Sequence, residues 1–528
     1  MASIPKLFRR KGHASNAQPL ASHDIDQGPE TPTKKVISTR QFIFTAMGGT
    51  IGAGLLIASG HILKNYGPGN LLFGYLVVGI CVSLMMGSLN ELASTFPTAG
   101  SFYDYSLRFI SPSWGFAMGW NWTLNFICIV PLEITVLYNI LHVWLPDVHA
   151  AIIIAIIIVL LMILAAFGAQ WYGEVEHAFG ILKVFMLVAF TMAGIVIASG
   201  GVPTDPRHGT GFKYWQDGNA FKDAGHGFLE AIIAAGLAFG GTEILGLAAM
   251  ECKHPQKAMR LAYFIVPIRI VVCYLIPLFV LGLVYEEGIA NLDSPFVRSM
   301  ETAGIRILPH IFRAIVLCAF FSMANSCIFA SSRALRNICA RGMGPQFLAK
   351  TTKRGVPMRA LAVVFSFSLL AFVNVRPGGP EIFFWLLALG SASNYITWGS
   401  IGLSQIRMLW ALTAQGQQPD EVLQWRSPTR IWGSVLSLMI VMLAVFSFFF
   451  KAFYREFGFS SIQMTLQCLL GFIFVLVLWV SHMAYSLFKG KSHVLYIPLK
   501  DIDLTNPAEF QLAQIDAAKP ANPTRVEG

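Results

Sequence analysis

Two short stretches of the sequence combine clustered glycines with residues that could hold a charged ligand. Residues 46–54 read AMGGTIGAG and residues 238–243 read AFGGTE, and each stretch lies inside a long apolar run. Glycine costs about 1 kcal/mol relative to alanine in a helix interior, so the backbone need not stay helical at either place. A helix interrupted there exposes backbone N–H groups that can bind an anion and carbonyl groups that can bind a cation.

Four ionisable residues also lie within apolar runs, where charge is costly and each is a candidate functional group. Lys183 could extend to the lipid headgroups or stay buried, where loss of solvation makes an amine release its proton more easily. Glu133 is either a proton-handling group or a neutral, hydrogen-bonded structural acid. Glu243 could contact a cationic substrate, but we favour a structural role in which it accepts backbone N–H bonds at the break. Arg269 is expected to pair with a helix-end carbonyl or an acid.

The composition shows which elements must position these residues. Of 528 residues, 55% are apolar and only 12% are charged, whereas soluble domains carry about 25% charged residues. Runs long enough to cross a bilayer occur near 41–64, 69–96, 114–144, 150–171, 177–200, 225–250, 261–285, 309–340, 358–375, 381–409, 430–451 and 463–488. We therefore predict an all-α integral membrane protein with twelve transmembrane helices, and not a soluble enzyme or a secreted domain.

The distribution of basic residues predicts the orientation of the chain. An even number of spans places both termini on one side, and that side holds 26 of the 38 lysines and arginines, against 10 on the other. The positive-inside rule assigns the richer side to the cytosol. This gives a disordered cytosolic N-terminal arm (1–40), a twelve-helix domain (41–488) and a cytosolic C-terminal tail (489–528). The net charge of +10 follows from this bias, so we predict no nucleic-acid partner.

The sequence offers no sign of a cofactor or a catalytic centre. Its eight cysteines never form a CxxC pair, so neither a disulfide framework nor a zinc site is predicted. The spans contain no metal-binding cluster of His, Asp and Glu and no nucleophilic serine motif. We predict neither a metal nor a cofactor, and no enzymatic activity.

The two glycine stretches fall in the first and the sixth span. A single stretch would also fit close helix packing of the small-xxx-small type, for which Gly48 and Gly52 have the right spacing. Recurrence five spans apart favours two broken helices instead, because unwound backbone in a membrane must line a cavity or be buried in protein. Spans 1–5 and 6–10 then form an inverted repeat, the layout of a secondary transporter with its site near mid-membrane.

Several motifs, spread over about residues 40–490, resemble those of fungal amino-acid permeases in the amino acid–polyamine–organocation (APC) superfamily. Departures from the family pattern occur at Leu56, Ala324 and 343–345, the last of which reads MGP. The matching stretches are 47–55, 91–97, 100–103, 112–116, 211–215, 219–221, 241–243, 325–333, 353–357 and 397–400.

The resemblance implies a LeuT-type 5+5 inverted repeat with two extra helices, and import of amino acids by H⁺ symport. It places the substrate carboxylate on backbone N–H groups of 50–54 and the ammonium on carbonyls of Thr50, Leu237 and Gly240. Phe239 is either a gate over the substrate or a packed aromatic. It also implies that Lys183 stands where sodium-coupled relatives bind Na⁺ and couples transport to H⁺. Glu133, from its place in the third span, is the second candidate for proton coupling. The predicted substrate-binding set is Thr50, Ile51, Gly52, Ala53, Gly54, Leu237, Phe239, Gly240 and Gly241.

Two alternatives stay open at this point. One is a permease for a related amine such as γ-aminobutyrate, which also carries a carboxylate; the other is a nutrient-sensing receptor with the permease fold. The expected partners are an amino acid, protons and membrane lipid, and the resemblance implies the plasma membrane. Lysines of the N-terminal arm could accept ubiquitin, but we favour a basic arm lying on anionic lipid; these lysines are Lys6, Lys11, Lys34 and Lys35.

Overall fold

The computed structural model describes residues 37–98, 102–285, 294–375, 379–453, 462–489 and 495–505. Within these residues the chain is helical and forms no strand, apart from one isolated bridge between Ile37 and Cys252. Most of the predicted N-terminal arm, including its four candidate ubiquitin acceptors, lies outside the described residues, as does the end of the C-terminal tail.

The first half of the domain contains seven helices. They are α1 (Thr39–Gly48), α2 (Ala53–Leu56), α3 (Ala58–Thr95), α4 (Phe102–Phe109), α5 (Pro112–His142), α6 (Ala150–Phe167) and α7 (Ala169–Ala198).

The remaining helices begin after a connection that holds two short 3₁₀ turns, Lys213–Trp215 and Asn219–Phe221. A π-helical segment, Ile270–Leu275, joins α10 to α11; 3₁₀ segments at Gln346–Ala349 and Leu369–Val375 precede and follow α14. The helices are α8 (Ala224–Ala238), α9 (Ile244–Met250), α10 (Pro255–Arg269), α11 (Ile276–Val284), α12 (Pro295–Thr302), α13 (Leu308–Ala340), α14 (Met358–Ser368), α15 (Gly379–Ala414), α16 (Pro419–Val422), α17 (Arg430–Phe453) and α18 (Ile462–Phe488).

Each of the twelve predicted spans falls on helical chain. Among the described residues, eight helices are long and apolar enough to cross a membrane, and shorter apolar helices run over Ala224–Ala238 and Met358–Val373. The first and sixth spans are each divided by a break into two short helices, α1 and α2 and then α8 and α9. The predicted fold class, an all-α multi-pass membrane protein, is confirmed.

Helix α3 contains the boundary between the first two spans. Gly67 has φ +86, and a Cβ there would lie 2.1 Å from the carbonyl oxygen of Asn219. Only glycine fits both this conformation and this close contact. Pro68 follows and restarts the helix, so α3 is two helices joined at a turn.

The helix contacts support the inverted repeat. Contacts between spans of the first half recur between the spans five places later. Spans 1 and 5 (α1 and α7) touch, as do spans 6 and 10 (α8 and α15). Spans 3 and 10 (α5 and α15) correspond to spans 8 and 5 (α13 and α7), and spans 4 and 8 (α6 and α13) correspond to spans 9 and 3 (α14 and α5). Each half has five spans, so the second half crosses the membrane in the opposite sense. Helices α17 and α18 pack against each other and against α15.

The described residues begin at Ile37, just before the predicted start of the twelve-helix domain at residue 41. The Ile37 N–H donates to the Glu251 carbonyl at 3.0 Å, which anchors the segment ahead of α1. Helix α1 then starts at Thr39, because the Ser38 hydroxyl accepts the Gln41 N–H and Gln41 bonds back to Ser38. The predicted C-terminal tail also contains a docked segment, 495–505, which contacts Ile110 and Arg108 beside α4.

Candidate functional site

The two glycine stretches interrupt their helices, as predicted. Helix α1 ends at Gly48 and α2 begins at Ala53, with Gly52 in an extended conformation as its N-cap. Helix α8 ends at Ala238 and α9 begins at Ile244. Gly241, between them, has φ +91, a conformation that side-chain-bearing residues rarely adopt.

The two breaks border a narrow cavity of about 10 Å³. One water molecule needs about 10–15 Å³ on the same measure, so an amino acid could bind here only if the breaks moved apart. Seven residues singled out from the sequence line it: Thr50, Gly52, Ala53, Gly54, Glu133, Leu237 and Gly240. Three lining residues were not predicted, Ile129 on α5, Met323 on α13 and Asn394 on α15.

The side chain of Glu133, a residue of α5, reaches the start of α2. Its Oε1 is 3.5 Å from the Ala53 N–H, and its Oε2 meets no hydrogen-bond partner among the described residues. The carboxylate thus occupies the place where the sequence predicts a substrate carboxylate. A second carboxylate could bind there only if Glu133 moved away or took up a proton, because two adjacent negative charges repel each other.

Two of the three carbonyls predicted to receive an ammonium already accept other donors. The Thr50 carbonyl accepts the Tyr274 hydroxyl at 3.2 Å, and the Leu237 carbonyl accepts the Gly240 N–H at 3.2 Å. A carbonyl oxygen has two lone pairs, so the Thr50 carbonyl can take a further donor, whereas the Leu237 carbonyl also accepts the Phe239 N–H.

Three predicted substrate-binding residues do not line this cavity. Ile51 is fully buried. Phe239 is also buried and stacks on Tyr274 with ring centroids 4.5 Å apart, so in this structure it is a packed aromatic. Gly241 shapes the break through its positive φ.

Tyr274 and Arg269 join the two breaks from the seventh span. The Tyr274 hydroxyl lies 3.0 Å from the Ala238 carbonyl and 3.2 Å from the Thr50 carbonyl. Arg269 donates to the Ala46 carbonyl at 2.9 Å and to the Thr242 hydroxyl at 2.7 Å. Arg269 therefore meets a helix-end carbonyl, as expected, whereas no signal in the sequence pointed to Tyr274.

Glu243 holds the second break together. Its carboxylate accepts the indole N–H groups of Trp122 at 2.8 Å and Trp398 at 3.0 Å, and the Gly241 N–H at 3.3 Å. These bonds connect the break to α5 and α15, which is the structural role favoured above.

We expect Glu243→Ala to destabilise the folded protein. Each indole N–H left buried without an acceptor costs about 1–3 kcal/mol, so the melting temperature of the detergent-purified protein should fall. Glu243→Gln should lie between, because its amide NH₂ cannot accept from the second indole. Exposed Glu421 on α16 supplies the control, Glu421→Ala; a Glu243→Ala melting temperature equal to this control would contradict the structural role.

Lys183 is fully buried and does not reach toward headgroups. Its Nζ donates to the Gly48 carbonyl at 3.0 Å and to the Ser322 hydroxyl at 2.9 Å, linking α7 to the end of α1 and to α13. The Ser322 hydroxyl in turn donates to Glu176 at 2.7 Å. Sequence reasoning missed Glu176, although it lies seven residues before Lys183 and hence near the same face of α7.

Known amino-acid permeases resemble this chain over most of its length. The amino acid permease family model matches residues 41–491. The chain is 34% identical to the general amino-acid permease GAP1 of Saccharomyces cerevisiae over 492 residues, 90% of this chain and 80% of the relative. It is 32% identical to the amino-acid permease GAP3 of Candida albicans (93% and 83% covered), and 33% identical to amino acid transporter 1 of Schizosaccharomyces pombe (92% and 84% covered).

These matches cover the whole helical domain, including both broken helices. They show a multi-pass transporter, not an enzyme, and support amino-acid transport. The chain belongs to the amino acid permease family.

Proposed function

We propose that this protein imports amino acids across the plasma membrane by H⁺ symport, with both termini in the cytosol. The observation that carries the proton coupling is the position of Lys183, whose ammonium is buried between the Gly48 carbonyl at the end of α1 and Ser322 on α13. A cation there stabilises the carbonyl end of the broken helix. Losing its proton weakens that contact, which gives the chain two states that a proton can select.

The substrate site in this proposal is the cavity between the breaks, which must widen to admit an amino acid. The amino-acid carboxylate binds at the N–H groups of residues 52–54, and the ammonium binds the carbonyls of Thr50, Leu237 and Gly240. Glu133 must first release the Ala53 N–H, which it does most easily when protonated. Glu133 is thus the second candidate for coupling substrate to protons, beside Lys183.

The test is uptake by the purified protein in proteoliposomes. With a panel of labelled amino acids and no Na⁺, we expect accumulation when the outside is acidic, and its loss on adding a protonophore. We expect no requirement for Na⁺ because the ammonium of buried Lys183 already supplies the cation beside the first break. Accumulation that requires Na⁺ would overturn the proton symport.

The same panel separates the alternatives. Accumulation of γ-aminobutyrate without any α-amino acid would favour the amine permease. Saturable binding of an amino acid without accumulation, under every gradient applied, would favour a receptor.

A further inference from the structure

A chain of three buried polar groups runs along α7 from Lys183. The Lys183 Nζ donates to the Ser322 hydroxyl at 2.9 Å, and this hydroxyl donates to the Glu176 Oε1 at 2.7 Å. All three side chains are fully buried. We propose that Glu176 is the group that receives the proton from Lys183 and passes it toward the cytosol. This inference rests on the proposed H⁺ symport.

The arrangement suits proton transfer better than simple charge pairing. Within the described residues Lys183 and Glu176 form no direct ion pair; the Ser322 hydroxyl lies between them and accepts from one while donating to the other. The second carboxylate oxygen of Glu176 forms no hydrogen bond of ordinary geometry with a described residue, although the Ser326 hydroxyl lies nearby. A buried carboxylate oxygen without a donor is costly, and that cost falls when the acid is protonated.

The transfer step balances without any further reactant. One proton leaves the Lys183 ammonium for the Ser322 oxygen as the hydroxyl proton moves to the Glu176 carboxylate. The products are a neutral amine, an intact hydroxyl and a carboxylic acid. Rotation of the hydroxyl restores the starting hydrogen bonds once Glu176 has released its proton and Lys183 has gained another.

The position of Glu176 gives the proposed proton transfer a direction. In the proposed orientation α7 begins at the cytosolic side at Ala169, and Glu176 lies about midway between this end and Lys183. Seven residues correspond to about 10 Å of helix, so the proton advances roughly that far toward the cytosol. Tyr172, one turn further on, stacks on Phe329 with centroids 3.8 Å apart and bonds Ser326.

The charged and titratable groups around this chain come from three helices. Helix α7 contributes Tyr172, α5 contributes Glu133, and α13 contributes Cys318, Cys327 and Arg333. The facing end of α1 contributes the Gly48 carbonyl. Glu133, the other acid in this set, lies on the cavity side of Lys183, so Lys183 stands between an acid toward the substrate and an acid toward the cytosol.

The decisive variant is Glu176→Gln, in which the amide oxygen still accepts from Ser322 but takes up no proton. Proton-driven net uptake into proteoliposomes should fall at least about 100-fold, as for loss of a proton-transfer group. Exchange of labelled for unlabelled substrate at equal pH should stay near the wild-type rate, because exchange requires no proton release. Glu174→Gln, on the same helix but bonded to Gln41, should leave both rates unchanged.

Two outcomes would overturn the inference. One is wild-type net uptake by Glu176→Gln with wild-type dependence on pH; the other is an equal loss of exchange and net uptake, which a purely structural acid predicts. If Glu176→Gln fails to fold, Ser322→Ala takes its place, and its net uptake and exchange rates are judged in the same way. Ser322→Thr, which keeps the hydroxyl, should restore net uptake. Measurements on the wild type distinguish this inference from the proposed symport. Wild-type uptake that does not depend on the proton gradient would refute the symport. Proton-driven uptake that persists in the variants would refute only the role of Glu176.

Discussion

Lys183→Ala should lose concentrative uptake, and Lys183→Arg should bind substrate without accumulating it. Alanine removes the cation that bonds the Gly48 carbonyl and Ser322. Arginine keeps a cation there but does not release its proton, so the cycle stops in one state. The measurements are substrate binding to the purified protein and proton-driven uptake into proteoliposomes, for which we expect a loss of at least about 100-fold in both variants.

The matched control is Lys257, an exposed lysine in the first turn of α10. Lys257→Ala and Lys257→Arg should both transport at the wild-type rate. Proton-driven accumulation by Lys183→Arg at the wild-type rate would refute the coupling role of Lys183. Glu133 would then be the better candidate for handling the proton.

Valine at Gly52 or Gly54 should abolish uptake, for two different physical reasons. A Cβ at Gly54 would lie 2.3 Å from the Ala238 Cα and 2.4 Å from its nitrogen, so the obstacle is backbone of α8. A Cβ at Gly52 would meet the flexible Met323 side chain at 2.9 Å and the Glu133 carboxylate at 3.1 Å. Gly54 therefore allows the two broken helices to touch, whereas Gly52 keeps the cavity open.

The two variants should differ in stability. Gly54→Val should unfold more readily, by about 1–3 kcal/mol or more, as expected for overpacking against rigid neighbours. Gly52→Val should stay folded but fail to bind substrate. Melting temperature and ligand binding by the detergent-purified protein separate the two effects.

Gly225 supplies the control for both glycine variants. It has ordinary backbone geometry and open space around its Cβ position, so Gly225→Ala should neither destabilise the protein nor slow uptake. Substrate affinity equal to the wild type in Gly52→Val would exclude a binding site at residues 52–54.

The sequence by itself determined the membrane architecture. Apolar runs of spanning length predicted the long apolar helices of the described residues, because a helix that crosses lipid must satisfy its own backbone and needs about 20 apolar residues in a row. The glycines of 46–54 and 238–243 located both helix breaks for a similar reason: glycine weakens a helix at its own position. The family followed from motifs that are contiguous in the chain.

The tertiary structure alone decided which side chains meet. Glu176 and Ser322 are 146 residues apart and Tyr274 and Thr50 are 224 apart, and no local pattern joins them. Spans that are apolar on most of their surface leave their rotation about the helix axis undetermined by periodicity, so the facing of Phe239, Glu133 and Lys183 could not be read from spacing. Packing of the two halves against each other fixes those rotations, and with them the cavity and the buried chain from Lys183 to Glu176.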